Sequence, residues 1–463
     1  MLGQVSANTI GIMANRIARV QALDPARHRI RFSSRKQHVK SRFASRTARA
    51  GGVRGASRVA ATGGRAGTRT SRGTSGPTCI DLFAGAGGLA EGFRQAGWEI
   101  LAGADCDPHA AATFRLNFPD AVLYEEPVRR GLATRLLKDL RLKPGRLDCL
   151  IGGPPCQSFS YNNHHRSASD ERARLFETYL HLVSVLRPKT LVMENVPGML
   201  TIGDGAVLDA VERRLARLGY ATATRIIFAE EFGVPQTRRR VFIVATKHGE
   251  AGRLIPGGSH GPITKPAPKT NPYVHQWKPR ADRPPAPLVT VWDAISDLPR
   301  IGNGGGSMKS EYKKEPRTAY QIRARHGSRA LFNHTSHELT DTLVKRIEAV
   351  PEGGNWRDIP RRLLPAGMKR ARKSDHTKRY GRLRRRELAS TILTKCDPHW
   401  GAYVHPTQDR TISVREAARL QGFPDRFVFA GKYVCRQYEQ VGNAVPPPVA
   451  KRLAHRIKAS LRR

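Results

Sequence analysis

The chain has 463 residues, 39% of them hydrophobic, and a formal charge of +42 from 80 Lys and Arg against 38 Asp and Glu. That length can hold two folded units with buried cores, and that charge attracts a polyanion, with nucleic acid ahead of an anionic membrane surface. No run approaches ~18 consecutive apolar residues, so no membrane-spanning helix is expected. The six cysteines (Cys79, Cys106, Cys149, Cys156, Cys396 and Cys435) lack the close spacing of a structural zinc site and suit a reduced, cytosolic compartment.

Residues 1–76 hold 16 Lys and Arg but one acid, Asp24, and run into Gly- and Ser-rich sequence unable to bury a core. A disordered basic arm is expected there. It has the composition of a transit peptide, of an upstream extension of the reading frame, or of a nonspecific DNA-binding arm.

Order begins at "TCIDLFAGAGGLAEGFRQAG", a short apolar strand that passes through glycines into an amphipathic helix. The pattern recurs with "EILAGAD" and a helix over 108–116, "LDCLIGG" and a helix over 173–186, and "TLVMEN" and a helix over 207–218. Such alternation predicts an α/β fold with a doubly wound, mostly parallel sheet covered by helices. "RIIFAEE" and "RRVFIVATK" follow without an intervening helix and predict an antiparallel edge. A catalytic and cofactor-binding domain over 77–250 follows from this reading.

Beyond about Lys247 the sequence becomes Pro-, Gly- and Arg-rich, which predicts a second, smaller, irregular domain over 251–430. Its strongest charge run, "MKRARKSDHTKRYGRLRRRE" (368–387), suits either a solvated face or phosphate contact.

Three places carry chemistry. The loop "FAGAGG" lets backbone approach a ligand at the carboxyl end of a strand, and the next strand ends in Asp105, placed to accept hydrogen bonds from ribose hydroxyls. Asp107 better suits the cap of the following helix. Next, Cys156 and Glu194 each follow a strand, so a thiol and a carboxyl open onto one sheet edge. Taken alone, Cys156 could be a packed thiol, a bond partner or a nucleophile; the nearby carboxyl favours covalent attack with acid assistance. Finally, "GVPQTRRRVFIV" supplies Gln236 and places Arg238 and Arg240 on one strand face, suited to phosphate or a carbonyl oxygen, with Arg239 turned to solvent.

With "DLFAGAGG", "GGPPCQSFS", "MENVPG", "PQTRRRVFIV", "SVREAARLQGFPD" and "QVGNAVPPPVA" in this order, residues 78–458 resemble the DNA cytosine-5 methyltransferases of prokaryotic type. The resemblance implies an S-adenosylmethionine-dependent, Rossmann-like methyltransferase fold. It places the cofactor at Phe83, Gly85, Ala86, Gly88, Asp105, Cys106, Pro155, Leu175, Asn443, Ala444 and Val445, with Glu126 standing where an adenine-facing Asp is usual. It implies no metal. Cys156 becomes the nucleophile and Glu194 the acid at the base, while Arg240 and Arg238 serve the base carbonyl and a nearby phosphate. The domain over 251–430 becomes the target-recognition region, and residues 431–463 return to the catalytic domain. Near Thr391-Ile392 the chain departs from the family, with Leu388 and Ala389 where proline is usual and with the added charges Arg385 and Arg386.

The implied activity is methylation of carbon 5 of a flipped-out cytosine in a specific duplex sequence, releasing S-adenosylhomocysteine. Further implications are double-stranded DNA as partner, a restriction endonuclease acting separately, a monomer, and a nucleoid-associated place in the cytoplasm. Methylation of transfer RNA and a catalytically silent DNA-binding homologue are the alternatives.

Overall fold

The computed structural model describes residues 76–155, 174–261, 272–275, 284–372, 374–395 and 397–461. The expected basic arm, apart from Gly76, and Cys156 lie outside the described residues. Seven strands form one sheet: β1 (Thr78–Leu82), β2 (Glu99–Ala104), β3 (Val122–Tyr124), β4 (Cys149–Gly152), β5 (Thr190–Asn195), β6 (Ala221–Phe228) and β7 (Arg239–Thr246). Their order is β3-β2-β1-β4-β5-β7-β6. The first five run parallel, whereas β7 pairs antiparallel with both β5 and β6. The mostly parallel α/β sheet expected from the alternation is therefore present. Its antiparallel part differs in one respect, because β7 inserts between β5 and β6 and leaves β6 at the edge.

The helices α1 (Gly88–Gln95), α2 (Pro108–Asn117), α3 (Leu132–Asp139), α4 (Arg174–Leu186) and α5 (Ala206–Arg217) connect the strands. The strand sequences are apolar on both faces, as a sheet covered on two sides requires. Cys79, Cys149, Ile151 and Val192 join one buried cluster, while Ile80, Leu82, Leu150, Leu191 and Met193 join the other. Each such side chain contributes roughly 1.5–3 kcal/mol on burial. β3 has only three residues, too few for periodicity to reveal, whereas α3 carries an apolar stripe through Leu132, Ala133 and Leu136 that the strand–helix reading passed over.

Beyond β7 lie α6 (Val291–Ile295), the hairpin of β8 (Gly306–Ser310) and β9 (Leu331–Thr335), α7 (Ala319–Arg325), α8 (Asp341–Glu348), α9 (Val414–Leu420), α10 (Val434–Asn443) and α11 (Pro447–Ser460). Leu339, Ile347, Val350, Trp356, Ile359, Met368, Tyr380 and Val404 form a small core within 251–430. The cluster on one face of the main sheet also draws in Val291, Leu331, Val414 and Phe423, so that interval shares a core with the sheet as well. α11 packs on α1 so closely that a Cβ on Gly92 would lie 2.4 Å from the Ala450 Cβ. Among the described residues no helix is long and apolar enough to cross a membrane.

The charge run at 368–387 is not one solvated face. Tyr380 is 1% exposed in the small core, and Arg382 is buried with its guanidinium donating to carbonyls of Ile347, Val350, His405 and Gln408.

Candidate active site

Register places the carboxyl ends of the central strands at one level, since Leu82 pairs with both Ala104 and Gly152, and Gly152 with Met193. Above β1 the chain turns through Phe83 (φ 55°), Gly85 (φ 54°) and Gly87 (φ 94°) before α1. A left-handed phenylalanine is uncommon, and the turn holds it at the position where a ligand would meet backbone. At Gly87 the missing side chain is a requirement, because a Cβ would lie 2.5 Å from the Phe118 ring.

Asp105 locks this loop to β2. Its Oδ2 accepts a bond from the Gly85 amide at 2.7 Å and its Oδ1 accepts from the Asp107 amide at 2.9 Å. Burial pushes the Asp105 carboxyl above the usual carboxylate range, while these amides act in the opposite direction. Asp107 caps α2, accepting from the amides of His109 and Ala110. Cys106 between them is exposed, and burial of its surroundings, then Asp105, raises its thiol. Gly88 stands against the Asn443-Ala444-Val445 segment, where a Cβ would lie 2.5 Å from the Val445 carbonyl oxygen. Ala86, Ala444 and Val445 are buried, whereas Asn443 is exposed.

Such a concave loop, with an anchored carboxylate that retains acceptor lone pairs and a neighbouring backbone segment, fits a nucleoside-containing cofactor. Leu175 is half-buried in the first turn of α4. Glu126 follows the Tyr124 carbonyl that accepts from the Asp105 amide, and its carboxylate is engaged by Arg135 of α3. Among groups not singled out from sequence, Asp81 has a buried Oδ1 with no partner, and burial raises its carboxyl to about 8.

The second half of the site stands at β4 and β5. Pro155 is exposed and is the last described residue before Cys156, so the nucleophile candidate itself lies outside the described residues. Its approach is fixed nonetheless. The Asn195 side-chain Nδ2 donates to the Pro154 carbonyl at 3.1 Å, and a Cβ on Gly153 would lie 3.1 Å from Glu194 Oε2. Glu194 is 9% exposed and paired to Arg240, with Nε and Oε1 2.9 Å apart. Burial raises the Glu194 carboxyl above its ordinary value, opposed by Arg240 and then by Arg238.

Arg238 departs from the expectation of a phosphate contact. It is 1% exposed and donates to the carbonyls of Ile392 (3.0 Å), Gly442 (2.8 Å) and Ala444 (3.0 Å). A guanidinium spent on three carbonyls inside the protein has no reach to a phosphate in solvent. Alternation along a strand predicts which side a residue faces, not how deep that side is covered. Arg239 is exposed, its guanidinium 5.0 Å from the Phe228 ring centroid. Gln236 joins the same framework, donating to the Leu420 carbonyl at 2.7 Å and accepting from the Ile392 amide at 3.1 Å. The tether at Asn195 escaped sequence reasoning, although its position directly after Glu194 was the available signal.

Comparison with known proteins bears on this geometry. Residues 77–459 match the family model described as C-5 cytosine-specific DNA methylase. The chain is 34% identical over 440 residues to the type II methyltransferase M.AgeI of Thalassovita gelatinovora, covering 82% of this chain and 99% of that one. It is 31% identical over 382 residues to the type II methyltransferase M1.HphI of Haemophilus parahaemolyticus, covering 82% and 86%. Its fold is similar to the crystal structure of a prophage-encoded E. coli protein, described as a DNA modification methyltransferase. That likeness has a TM-score of 0.62 at 24% identity and covers 84% of this chain and all of that one.

Proposed function

The chain belongs to the C-5 cytosine-specific DNA methylase family, and on that premise we propose that it methylates carbon 5 of a cytosine swung out of duplex DNA, through a covalent bond to Cys156. The observation that carries this reading is the buried Glu194–Arg240 pair beside Gly153, three residues before Cys156. Carbon 5 of cytosine is a weak nucleophile within an aromatic ring. Addition of the Cys156 thiolate to carbon 6 breaks that aromaticity and leaves an electron-rich enamine at carbon 5. Glu194 donates a proton to ring nitrogen 3 as the thiolate adds, and its raised affinity for a proton suits that task. Arg240 holds the base carbonyl while it holds Glu194. When bound, S-adenosylmethionine supplies the electrophilic methyl group that carbon 5 takes up. Loss of the carbon 5 proton to a base then expels the cysteine and restores the ring.

The cofactor would be held by the Phe83–Gly88 turn, Asp105, Cys106, Pro155, Leu175 and the Asn443–Val445 segment, with Glu126 near its adenine. Residues 251–430 would read the duplex, which the net charge of +42 attracts. Swinging a base out costs roughly a few kcal/mol, and phosphate and pocket contacts offset it. The type II methyltransferases among the relatives support a role as the protective partner of a separate restriction endonuclease; a monomer working at the nucleoid is part of the same proposal. Parallel assays with tritiated cofactor on plasmid DNA and on transfer RNA test the reading. Incorporation into DNA is expected, and incorporation into RNA alone contradicts it.

A further inference from the structure

We propose that Trp400 contacts a nucleobase of the bound DNA through its ring face, with Lys395 and Arg379 at the adjoining phosphates; this rests on the DNA reading above. Trp400 ends a short 3-10 helix (Pro398–Trp400) and is 49% exposed. A large aromatic ring half in water loses apolar burial unless a partner covers it. Two cations flank the ring, Lys395 Nζ at 4.4 Å and the Arg379 guanidinium at 5.9 Å from its centroid. An aromatic face among cations suits a base next to its own phosphates, because every base has a π-face and every nucleotide a negative charge.

The placement joins this ring to the catalytic strands. Arg238 donates to the Ile392 carbonyl, and the following residue, Leu393, is itself 43% exposed. The Leu393 carbonyl lies 2.3 Å from where a Cβ on Gly442 would stand, beside the Asn443–Val445 segment. The Tyr403 hydroxyl accepts from the Leu393 amide at 3.2 Å, which ties residue 393 to residue 403. On the other side, the Tyr380 amide donates to the Pro398 carbonyl at 2.7 Å, and the preceding residue of the basic run, Arg379, stands at the Trp400 ring. His399 packs edge-on between Tyr380 and Trp400, with centroid separations of 5.9 and 5.4 Å, so the ring is supported from within the small core. A backed aromatic ring, Lys395 and an exposed leucine thus share one stretch of chain that begins at the active-site framework, and the basic run brings Arg379 to the same ring.

The test compares Trp400→Leu, Trp400→Phe and Lys395→Ala with the wild type, using plasmid DNA, tritiated cofactor and anisotropy of a labelled duplex. Leucine fills space without a π-face, so Trp400→Leu is expected to weaken DNA binding and raise the KM for DNA about tenfold. The kcat and the cofactor affinity stay within about twofold, and the salt slope of binding is unchanged because no charge is lost. Trp400→Phe recovers most of the loss, and its recovery excludes misfolding as the cause. Lys395→Ala lowers the salt slope by about one. Wild-type DNA affinity in Trp400→Leu overturns the proposal, as does a phenylalanine variant no better than leucine. A wild type that binds DNA without methylating it, while Trp400→Leu still loses binding, defeats the catalytic reading and leaves this contact standing.

Discussion

Arg240 reaches Glu194 across the site, with Nε and Oε1 2.9 Å apart and both side chains largely covered. Burial raises the carboxyl and the guanidinium opposes it, with burial the larger effect. The acid form therefore persists to higher pH than an exposed glutamate allows, and activity that needs this proton falls as pH rises through the raised value. Glu194→Gln is expected to lower kcat by about 10²- to 10⁴-fold with cofactor affinity nearly intact. A kcat–pH profile and a cofactor titration check this. Arg240→Ala removes the opposing charge, so its remaining activity should persist to higher pH than that of the wild type.

Arg238→Ala leaves three backbone carbonyls without their donor. The expected cost is on the order of 3 kcal/mol, together with weaker cofactor binding because two of those carbonyls flank Asn443. Thermal unfolding and a cofactor titration measure both. The salt slope of DNA binding should stay that of the wild type, unlike the result for a residue that meets phosphate.

Arg238 and Arg240 also mark how far sequence reasoning reached. The strand–helix alternation made the sheet legible because buried parallel strands must be apolar on both faces. The positions of Asp105, Asp107 and Glu194 were legible because each lies at the end of a strand or opens a helix, and for Asp107 the cap itself was legible. Depth was not legible. Arg238 and Tyr380 carry residue types that usually meet solvent, and only long-range contacts, to Ile392 and Gly442 or to the core around Trp356, bury them. The insertion of β7 between β5 and β6 likewise depends on pairing across about fifty residues of chain, which no local pattern encodes.

Gly88→Ala directs a methyl group at the Val445 carbonyl oxygen, 2.5 Å away. Backbone must move to admit it, at a cost of about 1–3 kcal/mol. The Asn443–Val445 segment moves with it, so cofactor affinity should fall more steeply than DNA affinity. Calorimetry with S-adenosylhomocysteine, beside DNA binding by anisotropy, distinguishes this from a uniform loss.

Asp81 is 1% exposed, with Oδ1 unpartnered and the carboxyl raised to about 8 from 3.8. The folded state therefore holds a proton that the unfolded chain releases near pH 4. Its contribution to stability is complete below the unfolded value and is lost as pH rises through about 8. Asp81→Asn, with no proton to lose, should gain stability relative to the wild type between pH 4 and 9, on the order of a few kcal/mol in the ligand-free protein. Denaturant midpoints of the two proteins across that range provide the check.

Covalent attack by Cys156 is the central claim, and DNA synthesised with 5-fluorocytosine tests it most directly, because fluorine replaces the proton that must leave carbon 5. Incubated with that DNA and S-adenosylmethionine, the wild type should form an adduct that survives denaturing electrophoresis, and Cys156→Ser should form none while still binding cofactor. A wild type that methylates ordinary DNA yet forms no adduct, or a Cys156→Ser variant with ordinary turnover, would contradict the account.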